Sequence, residues 1–291
     1  MDLGLVGLGK MGGNMRERLR RGGHRVVGFD RDPKLADVES LAAMVSALPA
    51  PRAVWVMVPS GAPTEATIEA LAGLLAAGDV LVDGGNSNFR ESIARGEKLA
   101  AKGIGFVDAG TSGGIWGLTE GYCIMVGGSP EHVARLQPIF DTLVAPEGFA
   151  HVGRVGAGHF TKMVHNGVEY GMMQAYGEGY ELLQSGTADL GIDVGKALEV
   201  WRHGSVVRSW LLDLLNDALK EDPGLSQIAG VAADSGEGRW TVEESIRRAV
   251  PLHVISAALY ARFTSRQDDS PAMKAVAALR NQFGGHAVQK A

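Results

Sequence analysis

Apolar residues in the first half of the chain come in short runs: Leu3–Leu8, Arg25–Phe29, Ala53–Val58, Val80–Val82, Ile104–Val107 and Tyr122–Val126. Each ends at or near Gly, Pro, Asp or Ser, and several are β-branched. Runs this short, punctuated by turn formers, predict strands. Between several of them lie stretches with apolar residues at helical spacing, such as Ala66–Leu75 and Ser92–Ala101. Strands alternating with helices predict a mostly parallel, doubly wound sheet with helices on both faces, assigned to residues 1–157. The pattern changes after about Val155. Helical periodicity then runs through Gly158–Gln184, Val194–Val200, Ser209–Leu219, Val242–Ala249, Pro251–Phe263 and Pro271–Gln282, with a Gly/Asp/Ser-rich interruption at Gly230–Gly238. The expectation is an α/β domain followed by an all-helical domain over 158–291.

Charge and composition narrow the partners. The net charge is −5 and no long Lys/Arg run occurs, so neither nucleic acid nor a membrane surface is expected as a partner. No apolar stretch reaches the ~18 residues of a spanning helix, and the start shows no basic leader. A soluble, cytoplasmic protein is expected. Cys123 is the one cysteine; with no internal disulfide possible, a reducing compartment fits.

The opening residues place G-x-G-x-x-G at Gly7, Gly9 and Gly12, with Leu8, Lys10 and Met11 between them. The pattern follows a predicted strand and enters a predicted helix, which is the Rossmann-type setting for a dinucleotide. Gly7 would make the tight turn, Gly9 would let backbone approach a pyrophosphate, and Gly12 would let helix and strand pack closely. The second predicted strand ends at Asp30, about where a ribose-binding acid is expected. A carboxylate there suits the ribose hydroxyls of NAD and repels a 2′-phosphate. Arg31 pulls the other way, so NAD is the expected cofactor and NADP the second choice. The turns Val58-Pro59-Ser60-Gly61, Gly84-Gly85-Asn86-Ser87 and Gly110-Thr111-Ser112-Gly113-Gly114 should line the same crevice, at the carboxyl ends of the strands.

Candidate chemistry concentrates in Gly158–Tyr170. On a helix, Lys162, His165, Asn166, Glu169 and Tyr170 share one face, expected to look into the crevice, and Met163, Val164, Val168, Met172 and Met173 form a complementary apolar set expected to face the core. Lysine near a nicotinamide suits a general base, with glutamate as a partner acid. An ammonium can polarise a developing carbonyl or enolate. No metal is expected, because the histidines lack ligand spacing.

These strings resemble the 6-phosphogluconate dehydrogenase family. The similarity rests on Asp83-Gly84-Gly85-Asn86-Ser87, on Ser112-Gly113-Gly114 with Gly117, Glu120 and Gly121, and on Gly156-Ala157-Gly158-His159-Phe160 followed by Lys162 through Tyr170. It implies oxidative decarboxylation of 6-phospho-D-gluconate to D-ribulose 5-phosphate and CO2, with Lys162 as general base and Glu169 as the assisting acid. It further implies substrate contacts at Asn86, Ser112, Gly113, Gly114, His165, Asn166 and Tyr170, and cofactor contacts at Val58, Pro59, Ser60 and Asn86. Arg262 matches a phosphate-binding arginine. Arg280 and His286 resemble a family segment that reaches the phosphate end from a second subunit, which implies a homodimer or homotetramer.

Three departures stand out. The chain looks like a short form with a single helical half. Ser235 stands where many members have lysine, with Arg239 as a candidate substitute. Asp30-Arg31-Asp32 replaces the Asn-Arg-Thr of NADP-using members. Two other readings stay open at this point: another β-hydroxyacid dehydrogenase, of 3-hydroxyisobutyrate or tartronate-semialdehyde type, and a dinucleotide-binding sensor without turnover.

Overall fold

The computed structural model describes residues 1–289. The first runs become strands because their residues are apolar on both sides of the pleat. β1 (Asp2–Val6), α1 (Lys10–Arg21), β2 (Arg25–Phe29), α2 (Leu41–Ser46), β3 (Ala53–Val56), α3 (Ala62–Ala72), β4 (Val80–Asp83) and α4 (Phe89–Ala100) alternate along the chain. They are followed by β5 (Gly105–Ser112), the short α5 (Gly117–Glu120), β6 (Tyr122–Gly128), α6 (Pro130–Leu143) and β7 (Val144–Gly153). The sheet order is β2-β1-β3-β4-β5-β6-β7. Every neighbouring pair is parallel except β5 with β6.

Alternate residues of each strand feed two cores. Ala53 and Trp55 join Leu3, Leu5, Met15, Leu136 and Phe140 on the face covered by α1 and α6. Val54 and Val56 join Val6, Met44, Ile68, Leu71, Leu81 and Leu99 on the face covered by α2, α3 and α4. A sheet covered on both faces gives continuous apolar runs rather than alternation, which is why the strands were readable as runs.

Several elements were not anticipated, β7 and α2 among them. β7 carries Pro146 and Gly148. It tolerates them because it is the edge strand, and its pairing with β6 is broken by register shifts. The short α2 has no periodicity to read, and is started by Ser40, whose side chain accepts from the Ala43 N–H.

The helical part begins with α7 (Ala157–Ser185) and continues through α8 (Thr187–Leu190), α9 (Val194–Trp201), α10 (Trp210–Glu221), α11 (Glu237–Arg248), α12 (His253–Thr264) and α13 (Pro271–Gly284). α11 starts five residues before the expected Val242, at Glu237, just after Gly236, whose φ of +103° turns the chain into the helix. The chain divides into two compact units, Met1–Asn166 and Gly167–Ala291, so the division falls inside α7. In the second unit Val194, Leu198, Leu212 and Leu219 pack with Tyr176, Tyr180 and Leu183, while Tyr170, Ala258 and Leu259 pack with Met173, Val242 and Phe263. Among the described residues, no helix is long and apolar enough to cross a membrane.

The apolar set on α7 does not face the core as expected. Met163 is buried, but Val164, Val168 and Met172 are 37%, 48% and 37% exposed, whereas Lys162 and Asn166 are 7% exposed. The polar positions face inward and most of the apolar ones outward. Helical spacing separates two faces without saying which is covered.

Candidate active site

In the first unit, strand order reverses around β1, with β2 on one side and β3 on the other. The crevice outside these strand ends is a cleft of about 810 Å³. It is lined by Gly7, Gly9, Lys10, Met11 and Gly12, by Asp30 and Arg31, by Val58, Pro59 and Ser60, and by Asn86. This is the topological switch point at which doubly wound sheets bind ligands.

The glycines fit a pyrophosphate. A Cβ on Gly7, whose φ is +90°, would lie 2.3 Å from the Met57 carbonyl oxygen, and one on Gly12 would lie 1.9 Å from that of Gly7. Gly9 has open space where its Cβ would be, which is what a backbone that must admit a ligand needs. Leu8 does not line the cleft. Its side chain is buried in the core, and its backbone N–H donates to Asp30 Oδ2 at 2.6 Å. Asp30 Oδ1 accepts from the Asp32 N–H at 2.9 Å. Asp30 therefore fixes the glycine loop as well as offering lone pairs to the cleft, a second duty its sequence position did not suggest.

Asn86 is carried by a turn that rests on a buried carboxylate. Asp83 ends β4, fully buried, and accepts from the Gly85 N–H at 3.2 Å, Ser87 Oγ at 2.8 Å and Arg95 Nη1 at 3.2 Å. Arg95, on α4 and 2% exposed, also donates to Glu65 on α3 and Glu91, each at 2.8 Å. Lys98 and Arg95 together hold the Glu65 carboxyl below its usual range. Sequence reading missed Arg95 and Glu65, since neither belongs to a local motif.

Also in the first unit, α7 crosses the end of β5. A Cβ on Gly110 would come 2.4 Å from Lys162 Cβ, so the lysine stem lies directly on the strand. Lys162 Nζ is 3.4 Å from His165 Nδ1, which is 3.4 Å from Asn166 Oδ1. Ser112 ends β5, and Gly113 and Gly114 follow with φ of +125° and +51°. The structure thus brings Lys162, His165 and Asn166 together within one turn.

In the second unit, α7 continues with half-buried Glu169 and buried Tyr170. The Arg262 guanidinium stacks 3.5 Å from the Tyr170 ring centroid and donates to the Ala233 carbonyl at 2.9 Å. Tyr170 Oη accepts from the Ser235 N–H at 3.2 Å. Arg239 is not free to stand in for a lysine at 235. It donates to both oxygens of Asp234, at 2.5 and 3.1 Å, and Arg266 adds a third bond at 2.8 Å. Arg280 lies on α13 and His286 just beyond it, and α13 buries none of its residues.

Arg239, then Arg266, hold the Asp234 carboxyl at about 2, against an ordinary value of 3.8. A depressed folded-state pKa stabilises above the unfolded value and loses that contribution as pH falls towards the folded one. Urea denaturation of wild type and Asp234→Asn should show a stability gap that is constant above pH ~5. It should close as pH falls from about 4 to about 2. A gap independent of pH would contradict the ion pair.

Comparison with known proteins agrees with this fold. The model for the NAD binding domain of 6-phosphogluconate dehydrogenase matches residues 2–156, and that for the 6-phosphogluconate dehydrogenase C-terminal domain matches 158–290. YqeC of Bacillus subtilis, provisionally named a 6-phosphogluconate dehydrogenase, is 43% identical over the whole of both chains. A Haloferax volcanii protein named 6-phosphogluconate dehydrogenase, NAD(+)-dependent, decarboxylating, is 41% identical over 100% of this chain and 99% of its own. The Schizosaccharomyces pombe decarboxylating enzyme is 36% identical over 91% of this chain, which spans 58% of that longer relative. Plasmodium falciparum 6-phosphogluconate dehydrogenase shares the fold, with a TM-score of 0.84 at 24% identity over 100% of this chain and 66% of its own. Matched in both halves and along its whole length, the chain belongs to the 6-phosphogluconate dehydrogenase family.

Proposed function

We propose that this protein oxidatively decarboxylates 6-phospho-D-gluconate to D-ribulose 5-phosphate and CO2, with NAD as oxidant. The observation that carries the reading is Lys162, an amine 7% exposed, laid on the end of β5 with His165 and Asn166 beside it. Lysine acts as a base only as the neutral amine.

The glycine loop and Asp30 hold the dinucleotide, whose nicotinamide supplies the two-electron acceptor. Lys162 removes the C3 hydroxyl proton as C3 is oxidised to a ketone. The resulting β-keto acid loses C1 as CO2, and the electrons of the C1–C2 bond pass to the C3 oxygen. The protonated Lys162 returns its proton there, giving the enediol. Glu169 then assists proton delivery to the carbon that becomes C1 of the product, while the neutral Lys162 takes the C3 hydroxyl proton as the ketone re-forms. Asn86, Ser112, Gly113, Gly114, His165, Asn166 and Tyr170 hold the sugar acid, and Arg262 its phosphate, for which a guanidinium fork is suited.

NAD is favoured over NADP because Asp30 is a fixed anion at the cleft wall, tied to the Leu8 N–H. A homodimer or homotetramer is part of the same reading, with Arg280 and His286 serving a neighbouring copy. Its support is α13, which buries nothing within its own chain and exposes Met273, Leu279 and Phe283, along with the outward Val164, Val168 and Met172 of α7.

Absorbance of reduced nicotinamide, with 6-phosphogluconate against gluconate and 3-hydroxyisobutyrate, tests the substrate. Reduction with an unphosphorylated acid would move the protein to a sister activity, and cofactor binding without any reduction would make it a sensor. Lys162→Met should lower turnover by about 10²–10⁴ with NAD binding retained; near-normal turnover would remove the base. Asp30→Ala should weaken NAD more than NADP in titration, by about tenfold in their ratio, and the opposite shift would refute the cofactor argument. Light scattering at assay concentration should give a multiple of the chain mass, and a monomer would discard the shared phosphate site.

A further inference from the structure

Asp108 is a carboxylate that the reaction scheme does not use. It lies in β5, fully buried, directly in register with Asp83 of β4, so the two side chains share one face of the sheet. Two neighbouring buried anions each require compensation. Asp83 has Arg95. Asp108 has instead the start of α7: Oδ1 accepts from the Gly156 N–H at 2.7 Å and Oδ2 from the His159 N–H at 2.8 Å.

Helices are ordinarily capped by a Ser, Thr, Asp or Asn at their own first residue. The segment entering α7 is Gly153-Arg154-Val155-Gly156, which has none. Its cap comes from 48 and 51 residues upstream, out of the sheet. Contacts around the capped turn leave little slack. A Cβ on Gly158 would lie 2.4 Å from the Asp108 carbonyl oxygen and 2.7 Å from that of Met125. On the α4 side, the His159 ring bonds Ser92 Oγ at 2.7 Å, and Phe160 meets Phe89 edge-on at 5.1 Å. One turn later comes Lys162, its Cβ against Gly110, two residues along β5 from Asp108.

We propose that Asp108 is the positioning residue for Lys162: its carboxylate clamps the first turn of α7 to β5 and so sets where the amine sits over the strand end. The catalytic consequence rests on the reading of Lys162 as the base; the positional consequence does not. Burial pushes the Asp108 carboxyl above its usual range, opposed by the charge of the His159 imidazole and by the backbone N–H bonds from His159 and Gly156. Displacement of a reacting group by about 1 Å costs on the order of 100-fold in rate. An asparagine at 108 can present its oxygen to one N–H, but its NH2 must then face the other, donor against donor.

The test uses the full-length protein with Asp108→Ala, Asp108→Asn and Lys162→Met. Two quantities are read: kcat beside the Kd for NAD, and the rate at which acetic anhydride modifies Lys162, followed by peptide mass spectrometry relative to exposed Lys34. Expected for Asp108→Ala is a fall in kcat of about 100-fold, with NAD affinity within twofold of wild type and several-fold faster Lys162 acetylation. Asp108→Asn should fall between, and it decides the matter should the alanine variant not fold. Unchanged acetylation and kcat in a folded Asp108→Asn protein, with Lys162→Met inactive, would overturn the positioning role alone. Full turnover in Lys162→Met would remove the base instead, while altered acetylation in the Asp108 variants would still support the clamp.

Discussion

Burying two anions where the parallel pairing of β4 with β5 ends is the constraint around which the first unit is organised. Asp83 and Asp108 are side by side and without solvent, and an unpaired carboxylate in such a place costs several kcal/mol. Each is satisfied by what it holds. Asp83 takes the turn that carries Asn86 and, through Arg95, ties α3 to α4. Asp108 takes the first turn of α7. The groups that keep these charges stable are therefore the same groups that place the candidate chemistry, so structural and functional demands coincide at this sheet edge.

Close backbone approach is the second condition. Gly7 and Gly12 let β1, β3 and α1 converge on the cleft, and Gly110 and Gly158 let α7 lie on β5 and β6 with no side chain between. A Cβ at any of these four positions would meet another atom at 2.4 Å or less, well inside van der Waals contact. Glycine there removes an obstruction instead of adding an interaction, and the ends of strands and helices can then serve as ligand walls.

The second unit handles charge differently. Arg239 and Arg266 converge on one nearly buried carboxylate, Asp234, and flank the Phe263 ring at 4.5 and 5.4 Å. Arg262 is left on the Tyr170 ring with its second role open. Ser235 bonds Tyr170 through its backbone and Glu237 through its hydroxyl. Two of these three arginines are thus committed to Asp234.

Periodicity, glycine spacing and strand-end composition determined much of this protein from the sequence alone: the doubly wound sheet, the helical second half, the cleft at Gly7–Gly12 with Asp30, and Lys162, His165 and Asn166 within one helical turn. Those features are encoded locally, over a few residues, where sterics and helix geometry leave little choice. β7 escaped notice because its Pro and Gly are tolerated only at a sheet edge, and being an edge is a property of the whole sheet. The outward turn of Val164 and Val168, the engagement of Asp30 with Leu8, the commitment of Arg239 to Asp234 and the capping of α7 by Asp108 were decided by tertiary structure. Each depends on a partner far along the chain or on what covers a surface, and no spacing rule contains that information.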